Sequence, residues 1–597
     1  MKFDKKINKP TLRRSQTITT FGVGSIVDLP DASAIMCGID KWDTKGCEPI
    51  HDERLEKKLK VGYFYMPANI DQSNEGLRAI RFPRYLRCRG GCKRLAEINT
   101  WRERAQKNNP YRDFDKQPFC DIDKISLIPS RFVVACRKGH IDDFPYYKWV
   151  HDDSIDCKSP DLKYIEGSGS TGLSGIRIQC ANCKRSRSMS GSFSKDILSK
   201  VASCTGSKPW QMTWSSKCGE ELTTLQRGSS NIHFPIIKSS ILIPPYSSEG
   251  LRMRICKTAQ WEFFESQDGA MPIDPFIEPI SKALNEDQKT ISDEITKMLT
   301  GDNQDADLDE DNYRYQEFMA FNGGITEEID NKDFLIEKVK GSDYGITCLE
   351  SVTLVKRLRE VRVQTGFTRI RPAGGSDEPE AEANKNQLIE IVPMSEKRKG
   401  WLPGYEVRGE GIFLNININI LEAWEREVVG SKRQKIIKNR SIRNPDVFGI
   451  VTELTPGFLA IHTFSHLLIR QLSFECGYAA SSLRERIYYS NNPNHKMAGV
   501  LIYTADGDSE GTLGGLVRQG KPDFLNDIIK KAVDQSKWCS SDPLCIESEG
   551  QGYLGLNLAA CHACSLLPET SCELLNRYLD RGSVSGTLGG QPGFFAQ

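Results

Sequence analysis

The 597-residue chain lacks three features that would assign it to a broad class at once. No stretch approaches eighteen consecutive apolar residues, which argues against a transmembrane helix. No apolar segment follows the charged start, so we expect no secretory signal and a cytoplasmic protein. The formal net charge is only +1, which argues against a globally basic nucleic-acid binder but leaves local basic patches open.

What the chain does have is nineteen cysteines. Without a secretory signal, so many thiols favour a reducing compartment and metal binding over disulfides. Zinc takes four nitrogen or sulfur ligands in tetrahedral geometry, and a turn with two nearby cysteines supplies two of them. The cysteine spacing predicts three zinc sites. Their ligands leave no open position for water, so we expect structural rather than catalytic metal.

The first predicted site combines two short turns. Cys88 and Cys92 flank an Arg-Gly-Gly turn, and Cys136 and His140 flank an Arg-Lys-Gly turn. Each turn can bring its two side chains to one metal ion, so the sequence predicts a site of three thiolates and one imidazole. Cys120 lies between the two turns and is a competing ligand.

The second predicted site consists of Cys180, Cys183, Cys204 and Cys218. The first pair has the two-residue spacing of a zinc knuckle, whereas the second pair is more widely spaced and is weaker support. The alternative is that these are buried free thiols, which behave as small apolar side chains.

The third predicted site lies near the C-terminus and has more thiols than it needs. Cys561 and Cys564 form a second two-residue knuckle, with Cys539 and Cys545 before it and Cys572 after it. A tetrahedral zinc site takes only four ligands, so one of the five thiols is spare or the cluster is unusual. The sequence does not say which thiol is spare, although Cys561 and Cys564 are the safest members.

Two histidines lie in an apolar segment that we expect to be helical. His462 and His466 are four residues apart and would share one face of the helix. The zinc-protease signature needs a glutamate directly after the first histidine, but Thr463 stands there. We therefore favour core or hydrogen-bonding histidines over metal ligands.

One segment is strongly basic and is a candidate DNA-binding surface, because cationic side chains bind the phosphate backbone without reading the bases. A solvated positive face is the alternative, with equal weight. Smaller basic patches occur at residues 84–89 and 184–187. The predicted DNA-contacting residues are Lys432, Arg433, Lys435, Lys438, Arg440 and Arg443.

A glycine-rich segment resembles a phosphate-binding loop only in part. Gly515, Gly520 and Lys521 have the required spacing, but Pro522 stands where a serine or threonine would bind magnesium. We therefore expect no ATP hydrolysis by this chain.

Together these patterns predict a multidomain α+β or α/β protein. We expect a zinc-organised, loop-rich N-terminal half, a helical middle from 278 to 363, and an α/β C-terminal domain closed by a cysteine cluster. The period-two segment 412–420 and the apolar segment 498–505 predict strands, whereas 456–474 and the segment from Pro522 predict helices. The predicted division is 1–81, an N-terminal region; 82–230, a zinc-binding module with two metal sites; 231–372, a mostly helical region with an acidic loop; 373–450, a linker with a strand and the basic stretch; and 451–597, the C-terminal α/β domain with a four-cysteine zinc site.

Several strings together resemble a known family. Residues 21–24 (Phe-Gly-Val-Gly), 131–145 (Arg-Phe-Val-Val-Ala-Cys-Arg-Lys-Gly-His-Ile-Asp-Asp-Phe-Pro) and 482–488 (Ser-Leu-Arg-Glu-Arg-Ile-Tyr) are similar to the DrmB proteins of the DISARM phage-defence system. The segment 561–581 resembles the cysteine-containing domain of unknown function that is found in MrfB-like proteins and at the C-terminus of some repair helicases. The resemblance extends over nearly the whole chain.

The resemblance implies a non-catalytic, zinc-stabilised subunit that binds DNA beside a superfamily 2 helicase of the DrmA type. The alternative from the residues is a metal-dependent nuclease or phosphodiesterase in the C-terminal α/β domain. Asp506, Asp508 and Glu510 follow a predicted buried strand, where carboxylates could bind magnesium.

Overall fold

A computed structural model of the chain describes most of its residues. It covers 12–596 apart from 30–31, 69–76, 109–112, 152–156, 168–171, 215, 245–250, 268–270, 301–309, 324–332, 373–389, 444–453 and 505–514. Within these ranges, every helix is too short or too polar to cross a membrane.

The described ranges contain the following elements. The strands are β1 Ile26–Leu29, β2 Ala32–Met36, β3 Glu48–Ile50, β4 Tyr63–Met66, β5 Ala79–Arg81, β6 Tyr85–Arg87, β7 Arg94–Glu97, β8 Ile128–Pro129, β9 Phe132–Ala135, β10 Ile141–Asp143, β11 Leu162–Glu166, β12 Ile176–Cys180, β13 Ser186–Ser188, β14 Thr223–Gln226, β15 Phe234–Ile241, β16 Leu335–Lys340, β17 Leu349–Thr368, β18 Val392–Pro393, β19 Trp401–Ile416, β20 Leu483–Ser490 and β21 Met497–Thr504. The helices are α1 Glu53–Leu59, α2 Ile98–Asn108, α3 Tyr146–Val150, α4 Lys195–Leu198, α5 Leu251–Cys256, α6 Ala259–Ser266, α7 Asp274–Leu284, α8 Gln288–Thr300, α9 Glu310–Phe321, α10 Ile418–Val428, α11 Lys432–Arg443, α12 Pro456–Cys476, α13 Gly515–Gln519, α14 Pro522–Ser536 and α15 Arg581–Ser585.

A nine-stranded sheet runs through the described residues and is built around two long strands. Its main order is β15-β17-β19-β21-β20, with β16 and β18 paired to β17, and with β4, which carries β3, paired to β19. All of these pairs are antiparallel except β19 with β4. The sheet takes strands from four of the five segments into which the sequence was divided, and that division stays a prediction. The fold is mixed α+β.

The central helix α12 confirms the helix predicted at 456–474. It begins where Pro456 follows Thr455, whose side chain accepts a hydrogen bond from the Phe458 amide, and it ends at Gly477, which has a φ of 70°. Residues on all sides of the helix are buried, as expected for a core helix rather than a surface one. It packs against α14, α15, β20 and β21.

Other predicted elements are confirmed or corrected. The strand expected at 498–505 is β21, and the helix expected from Pro522 is α14. The strand expected at 412–420 ends at Ile416, because the Asn417 side chain accepts the amides of Asn419 and Ile420 and starts α10. The helical region expected to reach 363 ends at Phe321, and the strands β16 and β17 follow.

The N-terminal half contains smaller sheets. One has six strands in the order β13-β12-β11-β7-β6-β8, and another has three in the order β10-β9-β14. These strands have two to five residues each, and the segments between them carry eight cysteines, with a ninth, Cys180, at the end of β12.

A buried ion network joins distant parts of the chain at Glu317 in α9. Its carboxylate accepts hydrogen bonds from Arg54 at 3.2 Å, Arg486 at 2.6 Å and the Tyr488 hydroxyl at 2.9 Å. Burial alone would raise the pKa of Glu317, but the attraction of Arg486 and Arg54 outweighs it and lowers the pKa to about 2. The network therefore ties α1, α9 and β20 together.

We predict that Glu317→Gln destabilises the chain at pH 7 by about 3–5 kcal/mol, because two buried guanidinium groups lose their counter-charge. Since the folded pKa lies below the unfolded value of 4.5, the stabilisation is present above pH 4.5 and is lost as the pH falls toward 2. About 3 kcal/mol of the difference in free energy of unfolding between the unmodified chain and the variant should disappear as the pH falls through this range. Urea unfolding of the unmodified chain and of the Glu317→Gln variant at several pH values measures this difference in free energy of unfolding.

The matched control is Glu278→Gln, which breaks an exposed pair with Lys282. We expect it to change the free energy of unfolding by less than about 0.5 kcal/mol. Equal effects of the two substitutions would contradict the role assigned to Glu317.

Candidate metal centres

Five groups of four side chains converge in the described residues, and within each group the ligand atoms all lie within 4.8 Å of one another. Together they contain fourteen of the nineteen cysteines and four of the eight histidines. We name them the Cys88 cluster (Cys88, Cys92, Cys120, Asp123), the Cys136 cluster (Cys136, His140, Cys204, Cys218), the Cys180 cluster (His151, Cys157, Cys180, Cys183), the Cys561 cluster (Cys539, Cys545, Cys561, Cys564) and the His462 cluster (His462, His466, Glu485, Cys572).

The structure pairs the turns of the N-terminal half differently from the prediction. Cys88 and Cys92 do not meet Cys136 and His140. They meet Cys120, the competing ligand, and Asp123. The second predicted group is also divided, since Cys204 and Cys218 lie apart from Cys180 and Cys183. Each local turn keeps its own side chains together, whereas the long-range pairing between turns differs from the prediction.

The Cys88 cluster forms where the β6–β7 turn faces the segment after α2. The sulfurs of Cys92 and Cys120 are 3.6 Å apart, and Asp123 Oδ2 lies 3.1 Å from the Cys88 sulfur. The Cys92 amide donates to the same carboxylate oxygen at 3.0 Å. Gly90 is required here, because a Cβ at this position would lie 2.7 Å from the Asp123 carboxyl group. Asp123 follows Cys120 at knuckle spacing, a signal that a search for cysteine and histidine alone misses.

The Cys136 cluster follows from the pairing of β9 with both β10 and β14. Cys136 and His140 lie in the β9–β10 turn, and β14 brings the preceding segment with Cys204 and Cys218 alongside. Nδ1 of His140 lies 3.5 Å from the Cys136 sulfur and 3.7 Å from the Cys204 sulfur. Because of this strand pairing, Cys204 and Cys218 lie beside Cys136 and His140. The sequence had predicted them to lie with Cys180 and Cys183.

The Cys180 cluster contains two ligands that the sequence did not indicate, His151 and Cys157. Strand β11 pairs with β12 so that Leu162 opposes Cys180, which brings the preceding Cys157 to 3.9 Å from the Cys180 sulfur. His151 ends α3 and places Nε2 3.2 Å from the Cys183 sulfur. His151 and Cys157 are six residues apart, and that spacing is the only signal that could have indicated them.

The Cys561 cluster resolves which C-terminal thiol is spare. Cys561 lies 3.5 Å from Cys539 and 3.7 Å from Cys564, and Cys564 lies 3.8 Å from Cys545, measured between sulfurs. Cys572 is not a member of this cluster. It lies in the His462 cluster instead, because the chain after Cys564 turns back toward α12.

The donor sets fit zinc. Zinc–ligand bonds of about 2.0–2.3 Å give tetrahedral edges of roughly 3.3–3.8 Å, close to the distances above. Four thiols, or three thiols with one imidazole or carboxylate, are combinations that zinc accepts. Because each cluster supplies four protein ligands, the sites are closed. The zinc would hold the loops together and supply no reaction.

The surroundings of two thiols favour the thiolate form that zinc binds. The neighbouring Cys204 and then His140 lower the pKa of Cys136 to about 4, although burial opposes this. Burial also raises the pKa of Cys561, but Cys539 and the backbone amides of Cys564 and Ala563 outweigh it and bring the pKa to about 7.

The basic segment forms α11, which lies against the region of the Cys561 cluster. Arg433 pairs with Asp580 at 2.5 Å and donates to the Ile546 carbonyl, and Arg440 donates to the Gly555 carbonyl at 2.9 Å. These two arginines therefore anchor the helix rather than facing solvent. The exposed members are Lys432, Lys435 and Lys438, and the side chain of Arg443 lies outside the described residues.

Fold and donor sets define a zinc-binding α+β protein, and comparison with known proteins places it in a family. Residues 13–234 match a domain of unknown function (DUF8724), and residues 464–565 match the MrfA Zn-binding domain. The second match contains the whole Cys561 cluster and confirms the resemblance of the C-terminal cysteine domain.

The chain is 31% identical over 579 residues to the DISARM protein DrmB of Bacillus paralicheniformis, covering 94% of this chain and 98% of the relative. This chain belongs to the DrmB family of DISARM proteins. A crystal structure of the DUF1998 helicase MrfA bound to DNA matches 35% of this chain and 21% of its own chain, at 11% identity and a TM-score of 0.18.

We predict that paired substitutions reveal which thiols share a zinc ion. Cys136→Ser with Cys204→Ser should remove one zinc per chain, because both thiols belong to one cluster. Cys92→Ser with Cys204→Ser should remove two. Elemental analysis of the purified full chain gives the zinc count.

Cys256→Ser is the matched control, since Cys256 is buried but lies outside all five clusters. It should leave the zinc count unchanged. Under the pairing predicted from the sequence, the first double variant would instead lose two zinc ions, as many as the second.

Proposed function

We propose that this chain is a non-catalytic, cytoplasmic DNA-binding subunit of a DISARM complex and works beside a superfamily 2 helicase of the DrmA type. The supporting observation is a helix of exposed lysines that is fixed to a zinc-binding domain. The membership of the DrmB family supports the defence role, and the closed donor sets support a metal that holds structure rather than performing chemistry.

Helix α11 is suited to bind a phosphate backbone. Lys432, Lys435 and Lys438 succeed one another at three-residue spacing and so lie near one another along the helix. Arg433 and Arg440 are anchored below them, so the lysines project from a rigid support. Such contacts give affinity without reading the bases, and they weaken as salt concentration rises.

The smaller basic patch at residues 84–89 is less suited to DNA. Arg84 lies 3.0 Å from both Asp142 and Asp143, and Arg87 lies 3.1 Å from Glu166. Lys432 of α11 also pairs with a carboxylate, that of Glu549, but its side chain is 78% exposed, against 27% for Arg84 and 18% for Arg87. We place the main DNA contact at α11 because its lysines are the more exposed.

A partner helicase would supply the ATP-driven step. In this chain the segment with phosphate-loop spacing forms the short helix α13 from Gly515, and a Cβ at Gly520 would contact Leu354 and Ile412 at under 3 Å. Gly520 therefore faces the apolar core, where a nucleotide phosphate would not be accommodated.

We predict that replacing Lys432, Lys435 and Lys438 together with Gln weakens binding to a DNA duplex by at least about tenfold at moderate salt. The slope of log affinity against log salt should decrease by about 2–3, because each lost phosphate contact removes about 0.9. Fluorescence anisotropy with labelled duplex and single-stranded DNA measures both quantities.

The control carries the same charge change on other exposed helical lysines, with Lys282, Lys289 and Lys297 replaced by Gln. It should bind DNA as the unmodified chain does. If the α11 variant and the control bind equally well, α11 is not the DNA contact.

The nuclease alternative has a direct test, although Asp506 and Asp508 lie outside the described residues. We predict that the purified chain shows no magnesium-dependent DNA cleavage. Incubation of labelled DNA with the chain and Mg²⁺, beside an Asp506→Ala, Asp508→Ala variant, measures this. Cleavage by the unmodified chain that disappears in the variant would overturn the non-catalytic assignment.

A further inference from the structure

We propose that His462, His466, Glu485 and Cys572 form a further structural zinc site inside the C-terminal core. The two histidines come from α12, the glutamate from β20 and the cysteine from the segment after the Cys561 cluster. Only Cys572 was predicted to bind metal, and it was predicted to do so with other partners.

The orientation of both imidazole rings is fixed from outside the cluster. Nδ1 of His462 lies 3.2 Å from the Tyr578 carbonyl, and Nδ1 of His466 lies 2.8 Å from the Ser565 carbonyl. A carbonyl oxygen can only accept, so each Nδ1 carries the hydrogen. In a neutral ring, Nε2 then presents its lone pair to the centre of the cluster, which is the usual arrangement of a metal-binding histidine.

Four electron-pair donors therefore face one another. Nε2 of His462 lies 3.3 Å from the Cys572 sulfur and 3.1 Å from Glu485 Oε1, which is 3.4 Å from Nε2 of His466. These distances match the edges of a zinc tetrahedron, roughly 3.3–3.8 Å for N and S ligands and shorter for O. Nε2 of His466 and Oε1 of Glu485 have no hydrogen-bond partner although both are fully buried.

Charge and burial lead to the same conclusion. The four residues are at most 5% exposed, so water does not screen them. Two neutral imidazoles with a carboxylate and a thiolate carry two negative charges, which one Zn²⁺ balances. The Cys572 sulfur also accepts the amides of Leu574 and Asn576 at 3.3 Å each, as a metal-bound thiolate commonly does.

The site would fasten the C-terminal segment to the core. It joins α12, β20 and the chain at Cys572, and the Ser565 carbonyl that orients His466 directly follows Cys564 of the Cys561 cluster. The four protein ligands leave no open position, so the ion would stabilise the fold and supply no catalysis.

A metal-free arrangement is the competing account. In it, His462 is doubly protonated and donates to Glu485 as an imidazolium–carboxylate pair. Crystals of the unmodified full chain distinguish the two accounts by anomalous scattering collected above and below the zinc absorption edge. We expect a zinc peak between the four side chains. Peaks at the Cys561 cluster but none at this position would overturn the proposal.

Variants give a second measurement in solution. His466→Gln and Cys572→Ser should each remove one zinc per chain in elemental analysis. Cys348→Ser replaces a buried thiol of the same apolar core outside the clusters and should keep the full count. If the first two variants fold poorly, the peak in the unmodified chain decides. A folded His466→Gln or Cys572→Ser variant that retains every zinc contradicts the site.

Discussion

Tetrahedral coordination is the constraint on which the N-terminal half depends. The strands of its zinc-binding region have only two to five residues, and the segments that join them carry most of the candidate ligands. One zinc ion requires four donors within about 4 Å of one another, so each site holds two or more loops at once. The strands in turn decide which loops can meet, and metal and sheet therefore specify the same arrangement.

The C-terminal half depends on the same constraint in a different setting. There the long strands β17 and β19 and the buried helix α12 provide a large apolar core. The Cys561 cluster lies at the margin of that core, where Arg433 of α11 pairs with Asp580 and donates to the carbonyl of Ile546, the residue after Cys545. The proposed DNA-binding surface of lysines would gain precision from such a support, since only the side chains would need to be ordered on binding.

The sequence was sufficient to predict what is local. The two-residue knuckles, the helix at 456–474 and the start of α14 were all predicted, because spacing and capping residues determine them within a few positions. The long-range partners of Cys136, Cys204 and Cys218, were not, because they follow from the pairing of β9 with β14, some ninety residues apart. Glu485 and Asp123 were missed for another reason, since a carboxylate becomes a candidate ligand only when its neighbours are known.

The clusters are nested along the chain, and this bears on the order in which they can form. The Cys180 cluster, residues 151–183, lies inside the loop closed by the Cys136 cluster, residues 136–218. The Cys561 cluster, residues 539–564, lies likewise within the interval 462–572 of the proposed further site. Closing a shorter loop costs less chain entropy, and closing it first shortens the outer one. A chain emerging from the ribosome can thus bind its metals from the inside outward.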